Sequence, residues 1–356
     1  MKKIIKNIFL AANVITVLLM ALTGFSGVIN PETFPKLSVI GLAFPAFLIA
    51  TVAFIAFWVV VDLKNVYVSF LGLLVCFSPV TTYVPIHNNS DEPEKALKVL
   101  SYNVLGFNPS EVAEGEDNPI VQYLIDSHAD VIALQEYGEG LPSDKNWGEL
   151  RQRYPHLDTI KVQNEGAYNV IAVMSKYPIR RKTRIPIESS ANLAGAFTLL
   201  IDGRDVMLVN VHLESTGLSP ENKQGFKDIV HGNSSRLETK QESKDIIRKL
   251  AEANARRAAQ ARVIDDFLRR NAGHSTILCG DFNDHPLSYT HRTIASRLTD
   301  CYTASGTWVG YSYCKDGMRV RIDNIMCSDD YTPCGCVVDH SISLSDHYPI
   351  YTFIKK

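Results

Sequence analysis

Three stretches of this 356-residue chain, residues 8–29, 37–61 and 66–86, contain no Asp, Glu, Lys, Arg or His. Each is near or above the ~20 apolar residues a helix needs to cross the hydrocarbon core of a bilayer, where only helices and closed barrels leave no backbone group unsatisfied. Residues 1–86 are therefore expected to form a membrane anchor of three transmembrane helices. Pro45 and Pro79 fall inside the second and third runs. In a membrane helix the carbonyl that proline frees can be satisfied by a neighbouring helix or water. Lys2, Lys3 and Lys6 would also suit the start of a cleavable signal peptide, but the run is long and no small-x-small cleavage site follows, so the first helix is expected to be retained.

Charge placement predicts the orientation. Lys2, Lys3, Lys6 and Lys64 flank one side of the expected spans, against Lys36 alone in the first connection, which puts the amino terminus and the second connection in the cytoplasm. Three crossings then place everything after residue 86 outside. The expectation is an integral protein, as of a bacterial inner membrane, with its soluble part on the extracytoplasmic side. Residues 87–97, rich in Asn, Asp and Glu, read as a linker, and residues 98–356 as one soluble domain. Charge is nearly balanced, 36 Lys and Arg against 38 Asp and Glu, so no global basic field marks a nucleic-acid binder. Six of the seven cysteines lie beyond the last apolar run; an oxidising compartment permits disulfides, but spacing does not fix the pairing. Cys334-x-Cys336 lacks the spacing of a zinc pair, and no structural metal is assigned to it.

In the soluble domain, apolar runs with strand character end repeatedly on a polar side chain. Asn103 lies near the end of residues 96–104, and Glu136 closes residues 130–136. Asn210 and His212 share one face of residues 205–214 by the period of two. Gly280 ends an apolar run and is followed by Asp281 and Asn283, an acceptor beside a group that both donates and accepts. Asp323 is embedded in residues 319–326, and Asp346 with His347 precedes a final strand at 348–354. Strand character recurs at 169–175 and 197–201, and helical spacing at 120–127, 292–298 and 237–270. The last is amphipathic; its Arg256, Arg257, Arg262, Arg269 and Arg270 make a solvated basic face, or alternatively one that meets phosphate-bearing lipids. Residues 215–236 resist a regular assignment. This irregular alternation suggests mixed sheets with helices outside.

Each polar strand end has a bland explanation. Gly-Asp-x-Asn is a common Asx turn, a terminal carboxylate can be solvated, and a lone histidine is usually packing. Six such ends in one domain share no bland explanation. Oxygen donors with a few carboxylates and two histidines suit Mg²⁺ or Mn²⁺ binding a phosphate, rather than zinc.

The blocks Ser101-Tyr102-Asn103, Leu134-Gln135-Glu136, Asn210-Val211-His212-Leu213, Gly280-Asp281-Phe282-Asn283, Arg321-Ile322-Asp323 and Ser345-Asp346-His347 resemble, in order, those of the endonuclease/exonuclease/phosphatase superfamily. The superfamily includes pancreatic deoxyribonuclease, apurinic endonucleases, neutral sphingomyelinases and inositol-polyphosphate phosphatases. The resemblance implies an α/β (α+β) fold, a four-layer α/β/β/α sandwich of two mixed sheets, with the site where strand ends converge. It implies Glu136 as principal metal ligand supported by Asn103 and Asp346, Asp281 orienting or deprotonating the attacking water, and Asn283 positioning water and phosphate. His347, held by Asp323, would contact the scissile phosphate. Asn210 and His212 would bind phosphoryl oxygens, with His212 a possible proton donor. Asn324 stands where many members carry an aromatic residue, and no arginine- and aromatic-rich loop set marks a DNA-repair enzyme.

The expected function is a membrane-anchored, Mg²⁺- or Mn²⁺-dependent phosphoesterase that hydrolyses a phosphodiester or phosphomonoester, such as a phospholipid head group, at the bilayer and without a protein partner. Two alternatives stand beside it: an extracytoplasmic endonuclease acting on DNA, and a catalytically silent receptor or scaffold that keeps the fold.

Overall fold

The computed structural model describes residues 2–87, 93–108, 110, 112–113, 116–138, 145–162, 169–218, 236–315 and 318–356. Most of the irregular stretch 215–236 and the middle of the linker, residues 88–92, lie outside these.

The first apolar run forms helix α1 (Lys2–Gly24), and the second forms a 3-10 segment (Leu37–Ala43) that becomes α2 (Phe44–Val61). Pro45 stands in the first turn of α2, where its missing N–H costs no helical bond, so it starts that helix and does not interrupt it. The third run is broken into α3 (Val66–Val75) and α4 (Phe77–Tyr83), and the two parts meet at 70°. Pro79 cannot donate the bond that would continue the helix to the carbonyl of Val75, which accounts for the break at Cys76. Of the three expected spans, two are helices long and apolar enough to cross a membrane, and the bent pair is a third if it counts as one span.

Lys6 pairs with Asp62 at one end of this bundle, whereas Glu32 pairs with Arg262 of the soluble domain at the other. A buried hydrogen bond of 3.0 Å from Ser69 Oγ to Asn13 Oδ1 ties α3 to α1. Large apolar side chains stay uncovered on the outside, Ile49 being 70% and Val60 86% exposed.

The soluble part is built on strand alternation. One six-stranded sheet contains β1 (Leu97–Asn103), β2 (Val131–Gln135), β3 (His156–Lys161), β4 (Val170–Ser175), β13 (Thr332–Val338) and β14 (Ile350–Lys355), in the order β13-β14-β1-β2-β4-β3. The other contains β5 (Ile179–Ile185), β6 (Leu193–Ile201), β7 (Arg204–His212), β8 (Ser275–Asp281), β9 (Thr299–Asp300) and β12 (Asp323–Cys327), in the order β5-β6-β7-β8-β12-β9. Both are mixed, with β1 parallel to β2 and β7 parallel to β8. A hairpin of β10 (Tyr313–Lys315) and β11 (Met318–Val320) stands apart.

The sheets face each other through Val99, Val131, Leu208, Ile277, Cys279 and Ile325. Their intervening residues point outward: Leu100 and Ile132 under α5 (Pro119–Asp126) and α6 (Lys145–Arg153), and Val209, Leu278 and Met326 under α7 (Arg236–Arg270) and α8 (Tyr289–Ala295). The result is the four-layer α/β/β/α sandwich. Each fully buried branched side chain such as Leu278 stabilises it by about 1.5–3 kcal/mol.

Within the two six-stranded sheets, sequence pattern missed β3, β5, β9 and β13. All four are sheet edges, where polar side chains replace apolar alternation, as in Ile-Arg-Arg-Lys-Thr-Arg-Ile of β5. The expected strand at 319–326 is split because Arg321 leaves the ladder to place its buried guanidinium 3.1 Å from Asp300. The arginines of the expected basic face are largely neutralised within the protein: Arg256 pairs with Glu214, Arg257 with Asp284, Arg262 with Glu32 and Arg269 with Asp266. The six described cysteines are free thiols; the sulfurs of Cys301 and Cys327 are 3.8 Å apart in the core.

Candidate active site

The inner faces of the two sheets are apolar along most of their length and end in one polar row. On β8, Ile277 and Cys279 face the sandwich core, and Asp281 is the next residue of the same parity. On β12 the series is Cys327, Ile325, Asp323, on β7 it is Leu208, Asn210, His212, and on β1 it is Val99, Ser101, Asn103. Pairing aligns these ends. His212 is the register partner of Asp281 across the parallel β7–β8 pair, and Asp323 is its partner across the antiparallel β8–β12 pair. Three side chains thus reach one row because three strands end in step.

The other sheet closes the site from across the sandwich. Asn103 Nδ2 donates to Asp281 Oδ2 at 3.2 Å and to Glu136 Oε1 at 3.1 Å. Glu136 follows β2 directly and has φ +51°, and Asn283 follows β8 with φ +53°. A non-glycine residue in the left-handed region costs on the order of 1–3 kcal/mol, so the fold holds strain at two site residues. Asn283 is fixed by its N–H to Asp281 Oδ1 at 2.8 Å and by Nδ2 to the Leu213 carbonyl at 3.0 Å. Gly280 has φ +143°, and a Cβ there would stand 1.9 Å from the carbonyl oxygen of Val211, so only glycine lets β8 reach Asp281 beside β7.

His347 is oriented by Asp323, whose Oδ2 lies 2.8 Å from Nδ1, and points Nε2 toward Asp281 Oδ2 at 3.6 Å. Burial alone would depress its pKa, but the carboxylates of Asp323 and Asp281 outweigh that and hold it up at about 10, so the ring is an imidazolium at neutral pH. His212 is the opposite case. Burial lowers its pKa and leaves it neutral, with Nε2 facing Asp281 at 3.7 Å and Glu136 at 3.8 Å. Burial raises Asp281 to about 6, and burial likewise raises Glu136 against the pull of Asn103 and His347.

Glu136, His212, Asp281, Asn283, Asp346 and His347 line one cleft. Asn210 does not. It is fully buried between the layers, donating to the carbonyls of Leu134 at 3.0 Å and Ala172 at 2.9 Å and accepting from Gln135 at 2.7 Å. These bonds make it a pin between the two sheets.

Several supporting residues were not read from the sequence. Asn169 Nδ2 lies 2.9 Å from His212 Nδ1 and so holds the ring with Nε2 facing the cleft. Ser345 Oγ donates to the Asn103 carbonyl at 2.7 Å, and Ser312 Oγ accepts from the backbone N–H of Asp323 at 2.9 Å. Asn169 carries the same signal as the others, an amide at the mouth of an apolar strand; Ser345 belongs to the Ser345-Asp346-His347 block, and Ser312 carries no signal.

The donor chemistry fits a hard cation. Four carboxylates, Glu136, Asp281, Asp323 and Asp346, converge, and their ion pairs among the described residues are to histidines alone. The amide N–H of Asn103, between Glu136 and Asp281, links carboxylates of the two layers. Asp281, Asp323 and His347 also bring ligand atoms within 4.8 Å of one another, although His347 Nδ1 is already engaged by Asp323.

The sequence model of the Endonuclease/Exonuclease/phosphatase family matches residues 100–347, which spans every one of these side chains. The chain belongs to the endonuclease/exonuclease/phosphatase family. A second model, described as Domain of unknown function (DUF8431), matches residues 6–83, the apolar helices. No curated protein matches the chain. An endonuclease/exonuclease/phosphatase from Beutenbergia cavernae has the same fold, with 17% identity, a TM-score of 0.51, and 73% of this chain and 71% of that chain covered. A Bacteroides vulgatus endonuclease/exonuclease/phosphatase is 16% identical at TM-score 0.49, covering 74% of this chain and 99% of that one. TDP2 of D. rerio, solved with a single-strand DNA product, is 16% identical at TM-score 0.49, covering 74% of this chain and 100% of that one. Members of the endonuclease/exonuclease/phosphatase family are divalent-metal-dependent hydrolases of phosphodiester bonds.

Proposed function

We propose that this endonuclease/exonuclease/phosphatase protein is a membrane-anchored phosphoesterase that uses Mg²⁺ or Mn²⁺ and works on the extracytoplasmic face. The convergence of Asn103, Glu136, His212, Asp281, Asn283 and the Asp323–His347 pair on one row carries this reading. Glu136, with Asp346 and with Asn103 supporting it through the Nδ2 hydrogen bond to Oε1, would hold the cation, which when bound neutralises phosphate charge. Asp281, ionised above about pH 6, accepts a proton from the attacking water, and Asn283 fixes that carboxylate's orientation. His347 meets the phosphate as a cation held by Asp323. His212 presents its Nε2 proton to a phosphoryl or leaving oxygen. The new bond is from water oxygen to phosphorus, the broken one from phosphorus to the alcohol oxygen, and the alcohol leaves with a proton.

The anchoring reading rests on the uncovered apolar helices and on the opposite placement of Lys6–Asp62 and Glu32–Arg262 at the two ends of the bundle. The test is hydrolysis of bis(p-nitrophenyl) phosphate by the full chain in detergent, with and without divalent metal. Turnover that survives chelation, or that survives both Glu136→Ala and Asp281→Ala, would sink the assignment. Nicking of plasmid DNA in parallel would move it toward a nuclease.

A further inference from the structure

The cleft that holds Glu136 and His347 has a volume of about 670 Å³, and its far wall is contributed by the apolar anchor: Val39, Leu42, Ala43, Pro45 and Tyr83. These residues come from the 3-10 segment before α2, the start of α2 and the end of α4. Leu42 is 46% exposed there.

Several contacts fix the wall in place. Gly41 lies so close to the loop after β8 that a Cβ on it would stand 2.5 Å from His285 Cε1 and 2.3 Å from Ser26 Oγ. Asn254 Nδ2 of α7 donates to Ser38 Oγ at 2.9 Å, and Arg262 of the same helix pairs with Glu32. Arg321 Nη2, two residues from Asp323, donates to the Thr82 carbonyl at 3.1 Å. Pro45 also begins α2, whose outer face carries exposed apolar side chains such as Ile49 and Val52, so the same helix lines the cleft at one end and bears an uncovered apolar surface beyond it.

We propose that the anchor forms one wall of the active site and that the substrate is an amphiphilic phosphoester of the membrane. Its phosphate sits among Glu136, Asp281 and His347, and its alkyl part lies along Val39, Leu42, Ala43 and Pro45. A wholly polar ester, such as a nucleotide or an inositol phosphate, leaves this wall facing water. An alkyl chain covers it, with a gain of up to about fourfold per methylene removed from water. The proposal rests on the phosphoesterase reading above and adds the class of substrate to it.

The test uses the full chain in phosphatidylcholine nanodiscs with Mn²⁺ and two synthetic diesters, methyl and hexadecyl p-nitrophenyl phosphate, each releasing p-nitrophenolate. The hexadecyl ester is expected to show a kcat/KM at least 100-fold above the methyl ester, and Leu42→Asp to cut that ratio at least tenfold. A wild-type ratio near or below one overturns the proposal while leaving the phosphoesterase reading intact. A high ratio that neither Leu42→Asp nor Ala43→Asp changes also overturns it, because partition into the bilayer then accounts for the preference. Should neither ester be hydrolysed, the phosphoesterase reading itself fails. The wild-type ratio needs no variant, so a misfolded substitution does not remove the decision.

Discussion

His347 keeps Nδ1 2.8 Å from Oδ2 of Asp323, and Asp323 occupies the register position opposite Asp281 on the neighbouring strand. One residue near the carboxyl terminus thereby joins two carboxylates that β-pairing has already set side by side. Asp323 settles which nitrogen faces the cleft and that the ring is charged.

Replacing Asp323 by Asn should remove that control. The pKa of His347, now about 10 because two carboxylates overcome burial, should fall by several units, and kcat for a p-nitrophenyl diester should drop by on the order of 100-fold or more. Imidazole NMR titration alongside kinetics checks both. An unmoved His347 resonance would refute the assigned role.

The pH profile follows from two raised pKa values, one of a base that must be ionised and one of a cation that must stay protonated. With Asp281 at about 6 and His347 at about 10, kcat/KM should rise through pH 6, level off and fall near pH 10. Stability runs the other way at the acid end. Burial raises folded Asp281 above its ordinary 3.8, so protonation between about pH 6 and 3.8 favours the folded state, by up to about 3 kcal/mol. The raised His347 contributes stability that is fully present below about pH 6.5 and lost as pH climbs through 10. Denaturant midpoints across pH, measured without metal, test these signs.

Metal should stabilise the fold through Glu136. At 100 times its dissociation constant, a ligand bound only to the folded state adds about 2.7 kcal/mol, visible as a rise in Tm with Mn²⁺. Glu136→Ala should abolish most of that rise and lower kcat by about 100-fold. An equal rise in the variant would move the cation elsewhere, to the Asp281–Asp323–His347 cluster first.

Asn210→Ala should behave as a core mutation. It strips donors from the Leu134 and Ala172 carbonyls, each loss costing roughly 1–3 kcal/mol, so urea midpoints should fall sharply. For the fraction that remains folded, KM should change less than threefold. A large rise in KM with unchanged stability would return Asn210 to the substrate.

Gly280→Ala is expected to be worse than its size suggests. The added carbon would meet the Val211 carbonyl at 1.9 Å on a backbone at φ +143°, so β8 must separate from β7 just before Asp281. Loss of activity should exceed what the fall in Tm explains, as read by circular dichroism and kinetics on the same sample.

Local chemistry was sufficient to read much of this protein from its sequence. Absence of charge over residues 8–29 and 37–61 marks helices long and apolar enough to cross a membrane, because the hydrocarbon core penalises any ion. Period-two alternation ending in Asn103, Glu136, His212, Asp281 and Asp323 marks the strands whose ends carry the site. Tertiary structure decided what depends on a neighbour distant in the chain. Asn210 and Asn169 look alike in sequence, yet one pins two sheets and the other holds His212, because the layer across the sandwich supplies their partners. The polar edge strands and the place of the apolar helices in the cleft were hidden for the same reason: each is a contact between segments, and apolar periodicity records only that a residue is buried, not against what.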